Sequence, residues 1–339
     1  MIKIIVVVLT LWVVLFSLRI IQIGGLDPTY REEGVQFLEP LRERLSATIE
    51  ESLPYPQSAL LSGILIGTVN KLPFRLNNQL KITSTIHIVV VSGQNLTILA
   101  GFVMSLVSFL GRRKTIILTV LVIVFYSLLT GFQIPVVRAA IMALMAYLAQ
   151  ILGKERLGWW VLFVTAAVML FYNPHWLLNI SFQLSFLATF GVVVVAPVFI
   201  KYLKVVPKVL KEDIAVTLAV QLLVMPIIAY NFYQISLIGL LVNSLILWSI
   251  PIVMVSGFIT LGLGLVSSFL GQLAGLIPGI LLTYFIYLVE FFAKIPAASL
   301  KVGENGLAIW IGYYLILGAI VWGMSKKLKT QKLKFKSTS

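Results

Sequence analysis

Long apolar runs recur along this chain and limit the folds open to it more than any other feature. A run of about 20 apolar residues is what a helix needs to cross a bilayer. Only 11% of the residues are charged, whereas soluble domains carry roughly 25%. No run alternates with a period of two, which disfavours a transmembrane barrel. We therefore predict an all-α polytopic membrane protein with about ten transmembrane helices, near residues 4–23, 84–110, 115–130, 134–152, 158–173, 177–200, 213–230, 236–264, 273–293 and 306–324.

Basic clusters predict how these helices are oriented. Arg112–Lys114, Lys154–Arg156 and Lys201–Lys211 are each separated from the next by two apolar runs, so they lie on one side. The positive-inside rule makes that side the cytoplasm. Residues 26–81 then lie outside, and both termini are cytoplasmic if residues 236–264 cross once. Proline and glycine in that run leave open a kinked helix or two short segments.

The segment between the first two predicted spans has a different character. Apolar residues recur at helical spacing among charges from Leu38 to Ile49, which predicts an amphipathic helix on the membrane surface or packed against a neighbour. Residues 58–68 are apolar but short for a span, so we expect a re-entrant or broken segment. The predicted organisation is a signal-anchor helix (1–25), an extracytoplasmic amphipathic segment (26–56), a transmembrane channel domain (57–325) and a basic cytoplasmic tail (326–339).

Composition argues against several classes of chemistry. The chain has no cysteine and two histidines, so we predict no metal site, no cofactor, no catalytic residue and no enzymatic activity. The net charge of +14 permits a polyanionic partner. Cytoplasmic loops of membrane proteins are basic in any case, so this charge alone does not identify one.

Polar residues inside apolar runs are the candidate functional residues, because they cost free energy unless they face protein or water. The first group lies in residues 84–110, where an ideal helix places His87 and Gln94 on nearly the same side. Gly93 could break or bend that helix. Packing between helices is the alternative explanation for such residues. The group comprises His87, Ser92, Gly93, Gln94 and Asn95.

Further candidates follow along the chain. Pro135 suits the first turn of a helix, which places Arg138 about one turn inside. Arg138 either extends to the outer interface or faces the bundle interior, where its guanidinium suits phosphate. Gln183 and Ser185 lie on a predicted helix whose Phe182 and Phe186 are four residues apart, and Asn243 is a polar residue in a later span.

Taken in order, these groups resemble the membrane competence domain of the ComEC family, the DNA-internalisation channels of natural transformation. The family has a histidine, an apolar run and Ser-Gly, then a glycine, a Pro or Ser and Arg-Ala followed by Met. It continues with Asn/Asp-Pro, Phe-Gln-Leu-Ser-Phe, and an aromatic–polar–Ser segment with a later Asn. The matching positions are His87, Ser92–Gly93, Gly131, Pro135, Arg138–Ala139, Met142, Asn173–Pro174, Phe182–Phe186, Tyr233–Ser236 and Asn243.

Two departures from the family bear on mechanism. Family members usually have a second histidine after Ser-Gly, where this chain has Gln94 and Asn95, so hydrogen bonding replaces a titratable group. Larger members also carry an oligonucleotide-binding-like domain and a metallo-β-lactamase-like domain. We expect this chain to be a minimal form without either.

The resemblance implies uptake of single-stranded DNA across the cytoplasmic membrane, with the candidate residues lining or shaping the path and Lys201–Lys211 receiving the strand inside. The implied partners are single-stranded DNA, membrane lipid, and a separate DNA receptor, nuclease and cytoplasmic motor ATPase. A homo-oligomer is also compatible with the sequence. Two other readings remain open at this point, a transporter of a small solute or lipid precursor with broken helices, and a membrane scaffold.

Overall fold

Helices dominate the computed structural model, which describes residues 2–27, 38–151, 158–203, 207–302 and 307–337. Within these residues four helical segments are long and apolar enough to cross a membrane, Ile180–Tyr202, Ile214–Phe232, Gly239–Val266 and Ser268–Ala293. Five further apolar helices are shorter. The helical fold agrees with the sequence prediction, while the count of about ten spans is not confirmed and stays a prediction.

The chain divides into two units. The first unit comprises residues 1–156, 164–178 and 236–300, and the second comprises residues 157–163, 179–235 and 301–339. Two short strands, β1 (Gln234–Ser236) and β2 (Ser299–Lys301), pair into a small sheet.

The first unit contains most of the helices. They are α1 (Ile2–Gln22), α2 (Glu39–Ser52), α3 (Gln57–Ile66), α4 (Phe74–Ile82), α5 (Ile86–Val89), α6 (Gly93–Ser105), α7 (Val107–Leu110), α8 (Arg112–Leu129), α9 (Ile134–Ile151), the later part of α10 (Gly158–Tyr172), α14 (Gly239–Ile246), α15 (Ile250–Val266) and α16 (Ser268–Ala293). The second unit contains the start of α10 together with α11 (Ile180–Phe190), α12 (Ala196–Tyr202), α13 (Lys208–Phe232) and α17 (Leu307–Ser337).

The amphipathic helix α2 packs inside the first unit. Its apolar side chains Leu45 and Ile49 are buried in a core shared with α3, α4, α15 and α16. Close approach to the α15–α16 hairpin depends on glycine, because a Cβ at Gly264 would lie 2.7 Å from the Thr48 methyl group. Of the two placements predicted for this helix, the structure therefore shows packing against neighbouring helices.

The short apolar segment at residues 58–68 forms α3. Every residue from Ser58 to Ile66 is buried, and the helix ends at Gly67, whose φ of +87° favours glycine. A ten-residue helix is too short to cross a bilayer alone, and burial in protein is what makes such a segment tolerable there. The segment is thus a short buried helix, and its re-entry into the membrane stays a prediction.

Residues 84–110 do not form the continuous helix expected from their apolar composition. Helix α5 ends at Val89, and α6 begins at Gly93 after an extended stretch. Ser92 caps α6, with φ −123° and ψ 163°, so it terminates the preceding segment and starts a new one. The helical relation drawn between His87 and Gln94 is therefore wrong, whereas the expected break at Gly93 is confirmed.

Two other apolar runs are also interrupted. In residues 236–264 a 3₁₀ turn, Leu247–Ser249, separates α14 from α15, and Pro251 lies in the first turn of α15. In residues 177–200 a π-helical turn, Gly191–Val195, joins α11 to α12 just before Pro197. Proline cannot donate to the preceding turn, which is the physical reason for both irregularities. Whether residues 236–264 cross once or twice stays open.

Candidate donor site at the start of helix α6

The start of α6 is tied to the end of α3 by Asn95. The Ser92 hydroxyl accepts a hydrogen bond from the Asn95 backbone N–H (3.4 Å) and donates one to Asn95 Oδ1 (3.1 Å). Asn95 Nδ2 then donates to the carbonyl oxygen of Ile64 at 3.0 Å. Asn95 is 2% exposed, so its amide is occupied by the protein itself. Its predicted place in a DNA path stays a prediction.

A second side chain converges on the same carbonyl group. Tyr126 Oη, from α8, donates to the oxygen of Ile64 at 3.5 Å, and the Tyr126 ring is buried against Phe258. The last turn of α3 leaves carbonyl groups without helical partners, and these two donors satisfy one of them. Asn95 and Tyr126 therefore fix α6 and α8 to the end of α3.

Arg138 packs directly against the first residue of α6. A Cβ built at Gly93 would lie 2.5 Å from Arg138 Nη2, 3.0 Å from Ala139 Cβ and 3.2 Å from the carbonyl oxygen of Pro135. Any residue larger than glycine at position 93 would clash with these atoms. The Ser-Gly pair and the Arg-Ala pair of the sequence motifs are therefore in contact with each other. Arg138 is partly buried, which favours the bundle interior over the outer interface.

The guanidinium of Arg138 lacks a matching acceptor in the described part of the chain. Its Nε atom is buried without a hydrogen-bonding partner, and no described carboxylate forms an ion pair with it. The adjacent start of α6 carries a partial positive charge and free backbone N–H groups. Both groups are donors, so an anionic or strongly accepting group beside them would be electrostatically favourable. We call the start of α6 at Gly93, capped by Ser92, together with Arg138 the donor site.

His87 and Asn243 lie on either side of a separate contact in the first unit, between the turn before His87 and the start of α14. His87 is exposed and follows the turn that contains Ser84. A Cβ at Gly239 would lie 2.9 Å from Ser84 Cβ and 3.2 Å from Ser236 Oγ, so α14 approaches this turn closely. Asn243 follows one turn later on α14, and its Oδ1 atom is buried without a partner among the described residues. The fold thus brings the turn before His87 close to the start of α14.

Gln94 and the second-unit candidates are arranged differently. Gln94 is exposed beside the buried Asn95. Gln183 and Ser185 lie on α11 in the second unit and are partly buried. The Phe182 and Phe186 rings contact each other, with centroids 4.3 Å apart, as their spacing on a helix suggests.

Sequence reasoning missed Arg42, which lies on α2. Its Nε donates to the carbonyl oxygen of Leu129 at 2.7 Å and its Nη1 pairs with Glu39 at 2.9 Å. The guanidinium covers Gly131, whose φ is +71°. Gly131, one of the motif positions, could have indicated this contact, since a glycine in a motif often marks a close approach or a left-handed backbone.

The described residues offer little to a metal ion or a bulky ligand. No group of three histidine or acidic residues among them is placed to hold a metal. A groove of about 190 Å³ in the first unit is lined by apolar side chains of α6 and α15, including Phe102 and Phe258. A charged strand would not enter this groove as it stands.

Comparison with known proteins identifies the class of the molecule. Residues 64–327 match the family described as "Competence protein", and this chain belongs to that family. It is 28% identical over 208 residues to "ComE operon protein 3" of Bacillus subtilis (strain 168), covering 60% of this chain and 26% of the relative. It is 27% identical over 226 residues to "Uncharacterized protein YcaI" of Escherichia coli (strain K12), covering 63% and 30% respectively.

The chain thus spans less than a third of the length of each of these two relatives. No solved structure matches it. The family match confirms the resemblance drawn from the sequence motifs and covers the donor site, the Ser84–Gly239 contact and α11.

Proposed function

We propose that this chain forms the membrane path by which single-stranded DNA crosses the cytoplasmic membrane during natural transformation. Membership of the competence family supports a role in DNA uptake. The apolar helices of the described residues suit a protein that resides in the membrane. The path acts by binding and guiding the strand and carries out no chemistry on it.

One observation carries the proposal, the donor site at the start of α6. A guanidinium against a helix N-terminus is electrostatically unfavourable unless an anion lies beside them. Arg138 has no ion-pair partner in the described part of the chain, and its Nε is buried without an acceptor. A phosphodiester supplies an anionic oxygen at every nucleotide, and an arginine fork binds it in two-point contact.

The remaining candidates take roles around this contact. Gln94 and His87 are exposed and would hydrogen-bond to the strand, while Asn95 holds the donor site to α3. Asn243, whose Oδ1 atom is buried without a partner among the described residues, would offer an acceptor on α14. Gln183 and Ser185 on α11 would contribute in the second unit.

Passage of a strand also needs helix movement or assembly, because the groove between α6 and α15 is small and apolar. We propose that both termini lie in the cytoplasm and that α2 lies at the outer face. The receptor that delivers DNA, the nuclease that removes one strand and the motor that draws in the other are separate proteins in this scheme.

The test is uptake of fluorescently labelled DNA in a strain from which the coding sequence is deleted, with and without a plasmid copy. Uptake should disappear on deletion and return with the wild-type chain at its normal membrane level. A strain that lacks the chain but internalises DNA at the wild-type rate would contradict the proposal. In that event the solute-carrier and scaffold readings would be the ones to pursue.

A further inference from the structure

An uncharged polar position lies beside the donor site, where the turn before α9 meets the end of α3. A Cβ built at Gly67 would lie 2.6 Å from Gln133 Nε2 and 2.9 Å from Val91 Cγ2. The side-chain amide of Gln133 therefore lies directly against the backbone of Gly67. Because Gly67 ends α3 with a left-handed φ of +87°, the contact forms where the chain turns away from the helix.

This position and the donor site are neighbours along two segments of the chain. Val91 at the first contact and Gly93 at the second are two residues apart, and so are Gln133 and Pro135. Two residues of chain span at most about 7 Å. An extended strand that contacts Arg138 therefore passes Gln133 within one or two nucleotides.

The hydrogen-bonding groups at this position are unused. The Gln133 carbonyl oxygen accepts from the N–H groups of Val136 and Val137 at the start of α9, whereas its side-chain amide has no partner among the described residues. Gln133 is only partly buried, so an incoming group can reach it. Thr68 follows Gly67, and its hydroxyl is buried and lacks a partner in the described part of the chain. Buried polar atoms are seldom left unpaired, so this hydroxyl favours a polar ligand nearby.

The two positions differ in charge, which decides the part of a strand that each one suits. Arg138 and the start of α6 are positive and favour a phosphodiester. Gln133 and Thr68 have no charge to attract an anion, but each can both donate and accept. Amide side chains pair with the edges of nucleobases, which present donors and acceptors side by side. In a duplex the opposite strand occupies the Watson–Crick edges, so only an unpaired base offers them.

We propose that Gln133, with the nearby Thr68 hydroxyl, binds an unpaired nucleobase of the strand whose phosphate contacts the donor site. This inference rests on the proposed function and deepens it, because it assigns separate residues to the base and to the phosphate. It gives the path a physical reason to accept a single strand and to disfavour a duplex.

The experiment uses the full chain in nanodiscs of zwitterionic lipid and two fluorescein-labelled probes of equal length. One probe is an oligothymidylate, and the other has the same phosphodiester backbone with abasic sites in place of the bases. Fluorescence anisotropy gives the affinity of each probe as a function of salt. The wild type should bind the oligothymidylate at least about fivefold more tightly, as one or two neutral hydrogen bonds allow.

Gln133→Leu keeps the approximate size of the side chain and removes its hydrogen-bonding groups. It should lower the affinity for the oligothymidylate to that for the abasic probe, and leave the abasic affinity and the salt slope unchanged. Arg138→Gln should weaken the binding of both probes and reduce the slope by roughly 0.7, the value for one lost contact with a single strand. The matched control, Gln272→Leu at an exposed glutamine of α16, should behave as the wild type.

Two results with Gln133→Leu would overturn the inference. Equal weakening of both probes would assign the amide to the phosphate backbone or to the fold, and an unchanged preference for the oligothymidylate would place the base contact elsewhere. A cross-linking measurement on the wild type needs no variant. An oligonucleotide that carries photoreactive 4-thiothymine should cross-link to the peptides that contain Thr68 and Gln133, and cross-links confined to other peptides would contradict the base contact.

Failure of this inference and failure of the proposed function give different results. If the wild type binds both probes equally while uptake still depends on the chain, the base contact is wrong and the proposed function stands. Normal uptake in the deletion strain removes the proposed function itself.

Discussion

Two arginines of the first unit each pack against a motif glycine, yet their surroundings differ. Arg42 covers Gly131, donates to the carbonyl oxygen of Leu129 and pairs with Glu39, although its Nη2 atom lacks a partner among the described residues. Arg138 covers Gly93 at the positive end of α6 and has no described acidic partner.

The difference separates a structural arginine from a functional candidate. Arg42 lies at the C-terminal end of α8, where a cation is favourable and carbonyl groups are available. Arg138 lies at an N-terminal end, where a cation is unfavourable and donors are already in excess. Burial and a neighbouring glycine are common to both, so the nature of the helix end is the reason for proposing Arg138, and not Arg42, as a residue that binds an external anion.

Removing Arg42 should have the largest effect on stability. Arg42→Met deletes a charge-assisted hydrogen bond to Leu129 and releases α2 from the α8–α9 turn, at a cost of about 2 kcal/mol. Thermal unfolding of the purified protein in detergent measures this. Glu39→Gln is the control, since its ion pair is half exposed and contributes less than about 0.5 kcal/mol. Equal losses from both variants would show that the ion pair, rather than the carbonyl contact, holds α2.

Substitution of alanine for Gly131 and for Gly93 should have different effects on stability and on DNA uptake. Gly131 has a φ of +71°, so Gly131→Ala adds backbone strain of about 1–2 kcal/mol to the clash with Arg42. Gly93 is helical, and its new methyl group mainly displaces the Arg138 guanidinium.

Gly131→Ala should therefore lower the unfolding temperature more, while Gly93→Ala should lower DNA uptake more at equal membrane level. If one of the two variants were the more impaired in both unfolding temperature and DNA uptake, Arg42 and Arg138 would not differ in role as described.

Substitutions of the neighbouring residues Asn95 and Gln94 also separate a side chain that stabilises the fold from an exposed one that is proposed to contact the strand. Asn95→Ala removes the bond to Ile64 and leaves that carbonyl group to Tyr126 alone, for a loss of about 1 kcal/mol, typical of such bonds between membrane helices. Gln94→Ala, at an exposed position, should leave the unfolding temperature unchanged. A larger loss of stability from Gln94→Ala than from Asn95→Ala would contradict this assignment of the two side chains.

Much of the fold is readable from the sequence where apolar runs are long and uninterrupted. The predicted helices near 115–130, 134–152 and 273–293 correspond to α8, α9 and α16 within a few residues. Long apolar segments in a membrane protein have few alternatives to helix, because every backbone group needs an internal partner. The break before Gly93 was only partly visible, since the apolar Val90 and Val91 give no sign of extended backbone.

The site was predictable as a set of residues but not as a set of contacts. Motif order singled out Gly93 and Arg138, whereas their packing depends on how α6 crosses α9. The approach of Ser84 to Gly239 joins distant segments and has no local signature. Arg42 was missed because a single arginine in a charged amphipathic stretch is usually solvated. Its contact with Gly131 is visible only in the folded structure.

Uptake of labelled DNA by a deletion strain carrying the wild type, Arg138→Gln or Arg42→Met, at matched membrane levels, tests the central claim most directly. If Arg138 binds the passing strand, Arg138→Gln should lower uptake about 30-fold, the equivalent of about 2 kcal/mol for a charge-assisted contact, with an unfolding temperature like that of the wild type. Arg42→Met should lower the unfolding temperature and leave uptake per molecule unchanged. Wild-type uptake by Arg138→Gln would contradict the account.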